Sequence, residues 1–373
     1  MGVSVFEEMS ALARAKGAIN LGQGFPDDPG PADVRAKAAE AVVSGWNQYP
    51  PMRGLPELRA TVAAHYARHQ GLTVDPERGV LVTSGATEAL AAAIAALVEP
   101  GDEVVLFQPC YDAYLPLVVR AGGVPRFVRL APPDWDFDDD ALARAFSSRT
   151  KLVVFNDPLN PAAVAYPRAS LERLARACVV HDAYALCDEV WEHVLFDGRR
   201  HESLLSMPGM AERAIKVGSA GKIFSLTGWK VGFVVAAPAL VDAIARAHQF
   251  IVFTTPPNLQ SAVAYGLGKD DAHFAAMRAG FQRSRDRFVA GLASLGWPAL
   301  PCAGTYFVNV DVSGSGLDDA TFCRRMVEDA GVAAIPVSAF YAQEPVTDVV
   351  RFCFAKTDAT LDAGLERLAK WRP

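Results

Sequence analysis

Short apolar runs and stretches of helical periodicity alternate along most of this chain. Runs at 80–83, 103–107, 124–130, 152–156, 185–191 and 214–218 read as strands, and apolar sequence resumes just after Lys230. Between them lie residues 33–43, a stretch starting near Pro56, the Ala/Leu-rich run after Ser84 and residues 241–249, all of which read as helices. Val5, Phe6, Met9, Leu12 and Ala13 recur at helical spacing within residues 1–18, an amphipathic arm. A long helix over 271–295 precedes a mixed region with strands at 306–311, 332–336 and 349–354. Strands alternating with helices predict an α/β fold built on a mostly parallel sheet.

Composition narrows the class. At 373 residues and 51% hydrophobic, the chain can bury a large core and divide into two domains. A net charge of −6 gives no reason to expect nucleic acid or an anionic membrane as partner. The six cysteines, Cys110, Cys178, Cys187, Cys302, Cys323 and Cys353, lack C-x-x-C spacing, which argues against zinc and against a disulfide scaffold. The first residues carry no secretory apolar core, and the run from Ala86 to Val98 contains Glu88 and is too short to span a bilayer. A soluble cytoplasmic protein is expected.

Candidate chemistry gathers in a few places. Two of only nine lysines, Lys222 and Lys230, fall in the small-residue stretch between apolar runs, with Ser219 beside them. Spacing alone leaves a surface pair equally open. The run Val80-Leu81-Val82-Thr83 feeds Ser84-Gly85-Ala86-Thr87-Glu88 and then a helix, an arrangement that leaves N–H groups free at a positive helix end. Ser84 acting as N-cap would explain the same residues without a ligand. Asp188 closes an apolar strand, the end at which open α/β sheets place ligands. Arg351 sits within an apolar strand, where a guanidinium is costly unless paired.

The run Ser219-x-x-Lys222 followed by Thr227-Gly228-Trp229-Lys230-x-Gly232 resembles the Schiff-base segment of fold-type-I pyridoxal-phosphate enzymes. The closer resemblance is to class I/II aminotransferases of the kynurenine, glutamine and methionine group, with matches from Ile19 to about Leu368. What it implies is a seven-stranded, mostly parallel sheet with helices on both faces in residues 31–270, plus a smaller α+β domain from residues 1–30 and 271–373. Lys222 would form the imine with pyridoxal 5'-phosphate, with Ser219, Lys230, Gly85, Ala86 and Thr87 at its phosphate. Tyr111 would stack on the pyridine ring, Asn160 would serve the ring O3′ and the substrate carboxylate, and Asp188 would pair with the ring nitrogen. Arg351 and the backbone near Gly24 would take that carboxylate. Tyr49 and Phe253 would reach the neighbouring site of a homodimer, although core packing explains Phe253 almost as well.

Two departures from the family pattern stand out. Ala162-Ala163 replaces Thr-Gly after Asn160-Pro161, which is expected to alter the turn rather than the chemistry. Trp191 stands where a tyrosine usually donates to O3′, so an altered imine pKa is expected. The activity implied is transamination between an aromatic, methionine-like or glutamine-like L-amino acid and a 2-oxo acid. A C–S β-lyase using the same Lys222 and Asp188, and a non-catalytic pyridoxal-phosphate-binding protein, remain alternatives.

Overall fold

The computed structural model describes residues 5–372. Its centre is a sheet of seven strands: β1 (Val80–Thr83), β2 (Glu103–Gln108), β3 (Val124–Arg129), β4 (Thr150–Asn156), β5 (Tyr184–Asp188), β6 (Ala214–Ser219) and β7 (Gly232–Ala236). Their order across the sheet is β1-β7-β6-β5-β4-β2-β3. All pairings are parallel except the two made by β7. The expected seven-stranded, mostly parallel sheet is therefore present.

The apolar runs lack strict alternation because both faces of this sheet are covered. Val104, Leu106, Leu152, Val154, Leu186, Ile215 and Val217 pack with the helices Gly85–Leu97 and Pro238–Ile251. Their sequence neighbours Val105, Phe107, Val153, Phe155, Ala185 and Cys187 pack on the other side with Leu171 and Leu174 of the helix Arg168–Val180. Strand β3 differs, with alternating exposure and with Pro125, Arg126 and Arg129, as suits a protected sheet edge.

Residues from both ends of the described chain meet in a separate cluster. Ile19–Asn20 pairs parallel with Val332–Ala333, and Met9, Ala13 and Leu21 pack with Phe288, Leu292, Leu361 and Leu368. Three further strands, β8 (Phe307–Asp311), β9 (Ile335–Pro336) and β10 (Val349–Cys353), form an antiparallel sheet in the order β9-β10-β8.

Some boundaries differ from those expected. The arm is a helix over Val5–Lys16, and its first four residues lie outside those described. The strand expected over 332–336 is two short strands in different sheets. The strand expected to reach residue 191 ends at Asp188, after which Glu189 and Glu192 turn to a buried lysine, Lys216. Among the described residues, no helix is long and apolar enough to cross a membrane, and no group of His, Cys, Asp and Glu is arranged to hold a metal ion.

Candidate active site

The carboxyl ends of β4, β5 and β6 deliver Asn156, Asp188 and Ser219 to one cavity of about 190 Å³. Lys222 joins them from a single helical turn, Ala220–Ile223, that follows β6 directly. Gly221 makes that turn possible, since a Cβ there would stand 3.1 Å from Thr227 Cα and 3.2 Å from the Leu226 carbonyl oxygen. Lys222 Nζ donates to Tyr306 Oη at 3.1 Å and lies 4.6 Å from the centre of the Trp191 ring system. Burial among these rings lowers its pKa to about 8, against the opposing pull of Cys353 and Asp188 and with smaller help from Arg351 and Lys230.

Asp188 is held for use rather than neutralised. Tyr114 Oη donates to its Oδ2 at 2.5 Å, and Asn156 Nδ2 fixes its backbone carbonyl at 2.7 Å. Burial raises the carboxyl pKa, while the Tyr114 hydrogen bond, the Val190 N–H and the Lys222 charge act the other way. A protonated ring nitrogen is the kind of partner that a buried carboxylate in this state lacks.

At the opposite end of the cavity the helix Gly85–Leu97 begins. Ser84 occupies the N-cap position, but its side chain accepts nothing from the helix; instead its own N–H donates to Glu88 Oε2 at 3.0 Å. The ligand-free explanation of this turn by a serine cap is therefore corrected. Gly85, Ala86 and Thr87 line the cavity together with Ser219 and Lys230. Gly85 has φ +71°, and a Cβ there would come within 3.1 Å of Lys230 Nζ. Gly232 is needed for the same reason, because its Cβ would lie 2.6 Å from the Gly85 carbonyl carbon. An uncapped helix start, a hydroxyl and an ammonium converging on a space that side chains would fill fit a phosphate monoester. With Asp188 at the far wall and Tyr111 on the lining between, the donor set fits pyridoxal phosphate.

A third group sits where the termini cluster meets the sheet. Arg351, on β10, donates to Asn160 Oδ1 at 2.7 Å and to the Gly22 carbonyl at 2.9 Å. Its guanidinium carbon lies 3.9 Å from the Phe307 ring centre, and burial lowers its pKa to about 10. Among the described residues it forms no ion pair with a carboxylate, and its Nε has no hydrogen-bond partner. The buried Arg-Glu pair that would have made it structural is absent among them. Gly24 belongs to the same corner: its carbonyl accepts from Tyr306 Oη at 2.7 Å, and a Cβ on it would lie 2.7 Å from Phe307 Cζ.

Not every expected residue reaches this cavity. Tyr49 and Phe253 meet each other edge to face at 5.6 Å, but Tyr49 is 81% exposed, Phe253 is 41% exposed, and neither lines the cavity. Ala163 adopts φ +63° with its side chain fully buried, so the left-handed turn survives without glycine. Residue-by-residue reading missed Tyr114 and Tyr306. Tyr114 stands one helical turn beyond Tyr111, a spacing that points both rings the same way. A larger cleft of about 880 Å³ lies between residues 26–31 and the helix Asp271–Ser294, and none of the expected site residues lines it.

Comparison with known proteins places this arrangement. The family model "Aminotransferase class I and II" matches residues 16–368. A probable N-succinyldiaminopimelate aminotransferase of Mycobacterium tuberculosis is 43% identical, over 98% of this chain and 95% of its own. The methionine aminotransferase of Escherichia coli is 42% identical, over 99% of this chain and 96% of its own. The solved structure of the N-succinyldiaminopimelate aminotransferase from Mycobacterium tuberculosis superposes with a TM-score of 0.96 at 44% identity, over 99% of this chain and 97% of that one. The chain belongs to the class I and II aminotransferases, pyridoxal-phosphate enzymes that move amino groups between amino acids and 2-oxo acids.

Proposed function

We propose that this transaminase works on L-amino acids with aromatic, methionine-like or glutamine-like side chains, with Lys222 and Asp188 as its catalytic residues. The observation that carries the reading is one cavity with an unpaired lysine, an unpaired aspartate and a phosphate-shaped corner on its walls. When bound, pyridoxal phosphate supplies an aldehyde for the amino group and a protonated ring that takes up the electron pair left as the Cα–H bond breaks. Lys222 Nζ takes the proton from the substrate Cα and returns it at the neighbouring carbon, acting as base and then acid. A lysine with a pKa near 8 suits that double task better than an ordinary one. Asp188 keeps the ring nitrogen protonated, held in place by Tyr114 and Asn156. Ser219, Lys230 and the Gly85-Ala86-Thr87 turn hold the phosphate, and Tyr111 covers one face of the ring. Arg351 and Asn160, with the backbone near Gly24, clamp the substrate carboxylate.

The side-chain preference rests on what surrounds this clamp. Phe25, Tyr111 and Phe340 supply aromatic surface, with Phe253 from a second copy. The nearby cation Lys356 is already paired with Asp27 at 3.1 Å and the Phe25 carbonyl at 2.9 Å. An uncharged substrate side chain suits such a site better than a distal carboxylate. Exposed Trp46, Tyr49, Phe250 and Phe253 favour a homodimer in which Tyr49 and Phe253 complete the partner's site. We assign residues 31–270 to the cofactor domain, and residues 1–30 with 271–373 to the smaller one, a division supported by the pairing of Ile19–Asn20 with Val332–Ala333. Six free cysteines suit the cytoplasm. The test is spectral: each amino acid of a panel is added to the purified holoenzyme and conversion of the pyridoxal to the pyridoxamine form is followed. Aromatic amino acids, methionine and glutamine are expected to convert it faster than aspartate; faster conversion by aspartate would overturn the side-chain assignment.

A further inference from the structure

The position usually held by a tyrosine three residues past the aspartate carries Trp191, yet a phenol still stands beside the lysine. Tyr306 reaches it from the residue just before β8, fully buried, with its ring edge-on to Trp191 at 4.3 Å. Its Oη accepts from Lys222 Nζ at 3.1 Å and donates its one hydrogen to the Gly24 carbonyl at 2.7 Å. With that hydrogen committed, the phenol acts toward the lysine only as an acceptor. Lys222 Nζ lies near two aromatic faces as well, 4.6 Å from the Trp191 ring centre and 5.4 Å from that of Tyr306. The amine is therefore seated by three groups from separate parts of the chain, and one of them is tied to the segment around Gly24.

We propose that Tyr306 is a positioning residue for Lys222: its phenol oxygen, tethered to the Gly24 carbonyl, holds the lysine amine against the Trp191 indole whenever that amine is not joined to the cofactor. The proposal rests on the reading of Lys222 as the cofactor lysine. Two consequences follow. An N–H given to Tyr306 aims the remaining valences of Nζ into the cavity, so the amine is oriented when the Cα proton must move. The bond to Gly24 makes that orientation depend on the placement of the 22–27 segment beside the substrate carboxylate.

The sign of the effect on acidity is fixed by the direction of the hydrogen bond. An ammonium donates more strongly than an amine, so an acceptor at Oη favours protonated Lys222, and its removal lowers the pKa. Around Nζ the charged or titratable groups are Asp188 from β5, Cys353 and Arg351 from β10, Lys230 from the stretch before β7, and Tyr306 itself. Tyr306→Phe keeps the ring on Trp191 and deletes only the oxygen. A net hydrogen bond of ordinary strength corresponds to a shift of about half to one pH unit.

The experiment labels cofactor-free protein with a small acylating reagent across a pH series and follows the Lys222 peptide by mass spectrometry. Wild type is expected to titrate near pH 8. Tyr306→Phe is expected to titrate about half to one unit lower. Turnover of the reconstituted variant is expected to fall about tenfold in kcat with little change in KM. Gly24→Ala, which forces the tether to move, is expected to shift the titration in the same direction. Superimposable titrations of wild type and Tyr306→Phe would overturn the proposal. Borohydride reduction of each holoenzyme separates this failure from the other. If the cofactor becomes fixed on the Lys222 peptide, the cofactor-lysine reading stands whatever the titration shows; if it does not, that reading falls and takes the proposal with it.

Discussion

Two buried charged clusters lie back to back in this molecule, and they are built from neighbours in sequence. Asp188 faces the cavity and Glu189 faces away from it; Lys222 serves the first cluster and Lys216 the second. Behind the sheet every charge is answered. Lys216 pairs with Glu189 and, at 2.8 Å, with Glu192. Glu189 also takes His201 at 2.7 Å and Ser203 at 2.8 Å, and Glu192 takes Tyr66 at 3.0 Å and Gln70 at 2.6 Å. Burial works against the Glu189 charge, but Lys216 and His201 more than offset it and hold the pKa down at about 2. On the cavity side, among the described residues, Lys222, Asp188, Lys230 and Arg351 form no ion pair at all. Burying a charge without a partner is unfavourable enough that such a set persists only when something outside the chain supplies the opposite charges. The closed cluster reads as structure and the open one as a site.

Paired substitutions sharpen that contrast. Lys222→Ala removes a buried charge from the open cluster, so the thermal midpoint is expected to hold or rise while turnover drops by about 10⁴-fold or more. Lys216→Met does the reverse. It strands Glu189 and Glu192 in an apolar wall, and a loss of about 3–5 kcal/mol in denaturant unfolding is expected, with turnover per folded molecule largely kept. If both lysines cost activity and neither costs stability, the distinction between the clusters is wrong. Arg351→Met tests the open cluster at its other end. Losing two charge-assisted hydrogen bonds to a carboxylate is worth roughly 3 kcal/mol, so kcat/KM is expected to fall about 10²-fold for every amino acid alike. A loss confined to one class of side chain would move Arg351 from the carboxylate clamp to the specificity pocket.

The same contrast explains what was legible in the sequence. The sheet could be read because its strands are buried on both faces and appear as unbroken apolar runs bounded by turns. Lys222, Asp188 and Arg351 stood out through motif resemblance and through charge set in apolar surroundings. Tyr114 and Tyr306 were hidden because aromatic residues in apolar stretches are usually core, and only the fold brings their hydroxyls to Asp188 and Lys222. The split of residues 332–336 between two sheets was equally unreadable, because pairing partners are a property of tertiary structure and not of local pattern.

The smallest effect is expected at a position that breaks the family pattern between the two clusters. Ala163 holds φ +63°, a conformation that costs a residue with a side chain roughly 1–2 kcal/mol, so Ala163→Gly removes that strain. Against this, the substitution exposes the loss of one fully buried methyl, about 0.8 kcal/mol, and loosens the unfolded chain by about another 0.4–1 kcal/mol. The opposing terms nearly cancel, and urea unfolding is expected to change by less than about 1 kcal/mol. The turn itself is set by its hydrogen bonds, with the Ala163 carbonyl accepting from Ala303 N at 2.8 Å and Gly304 N at 3.1 Å. Those bonds brace the loop carrying Asn160 against the residues leading to Tyr306, and Ala163→Gly leaves both in place. Activity is therefore expected to stay within about twofold. A larger change in activity with unchanged stability would mean that the alanine pair tunes the site through Asn160, and that this turn belongs to the open cluster rather than to the scaffold.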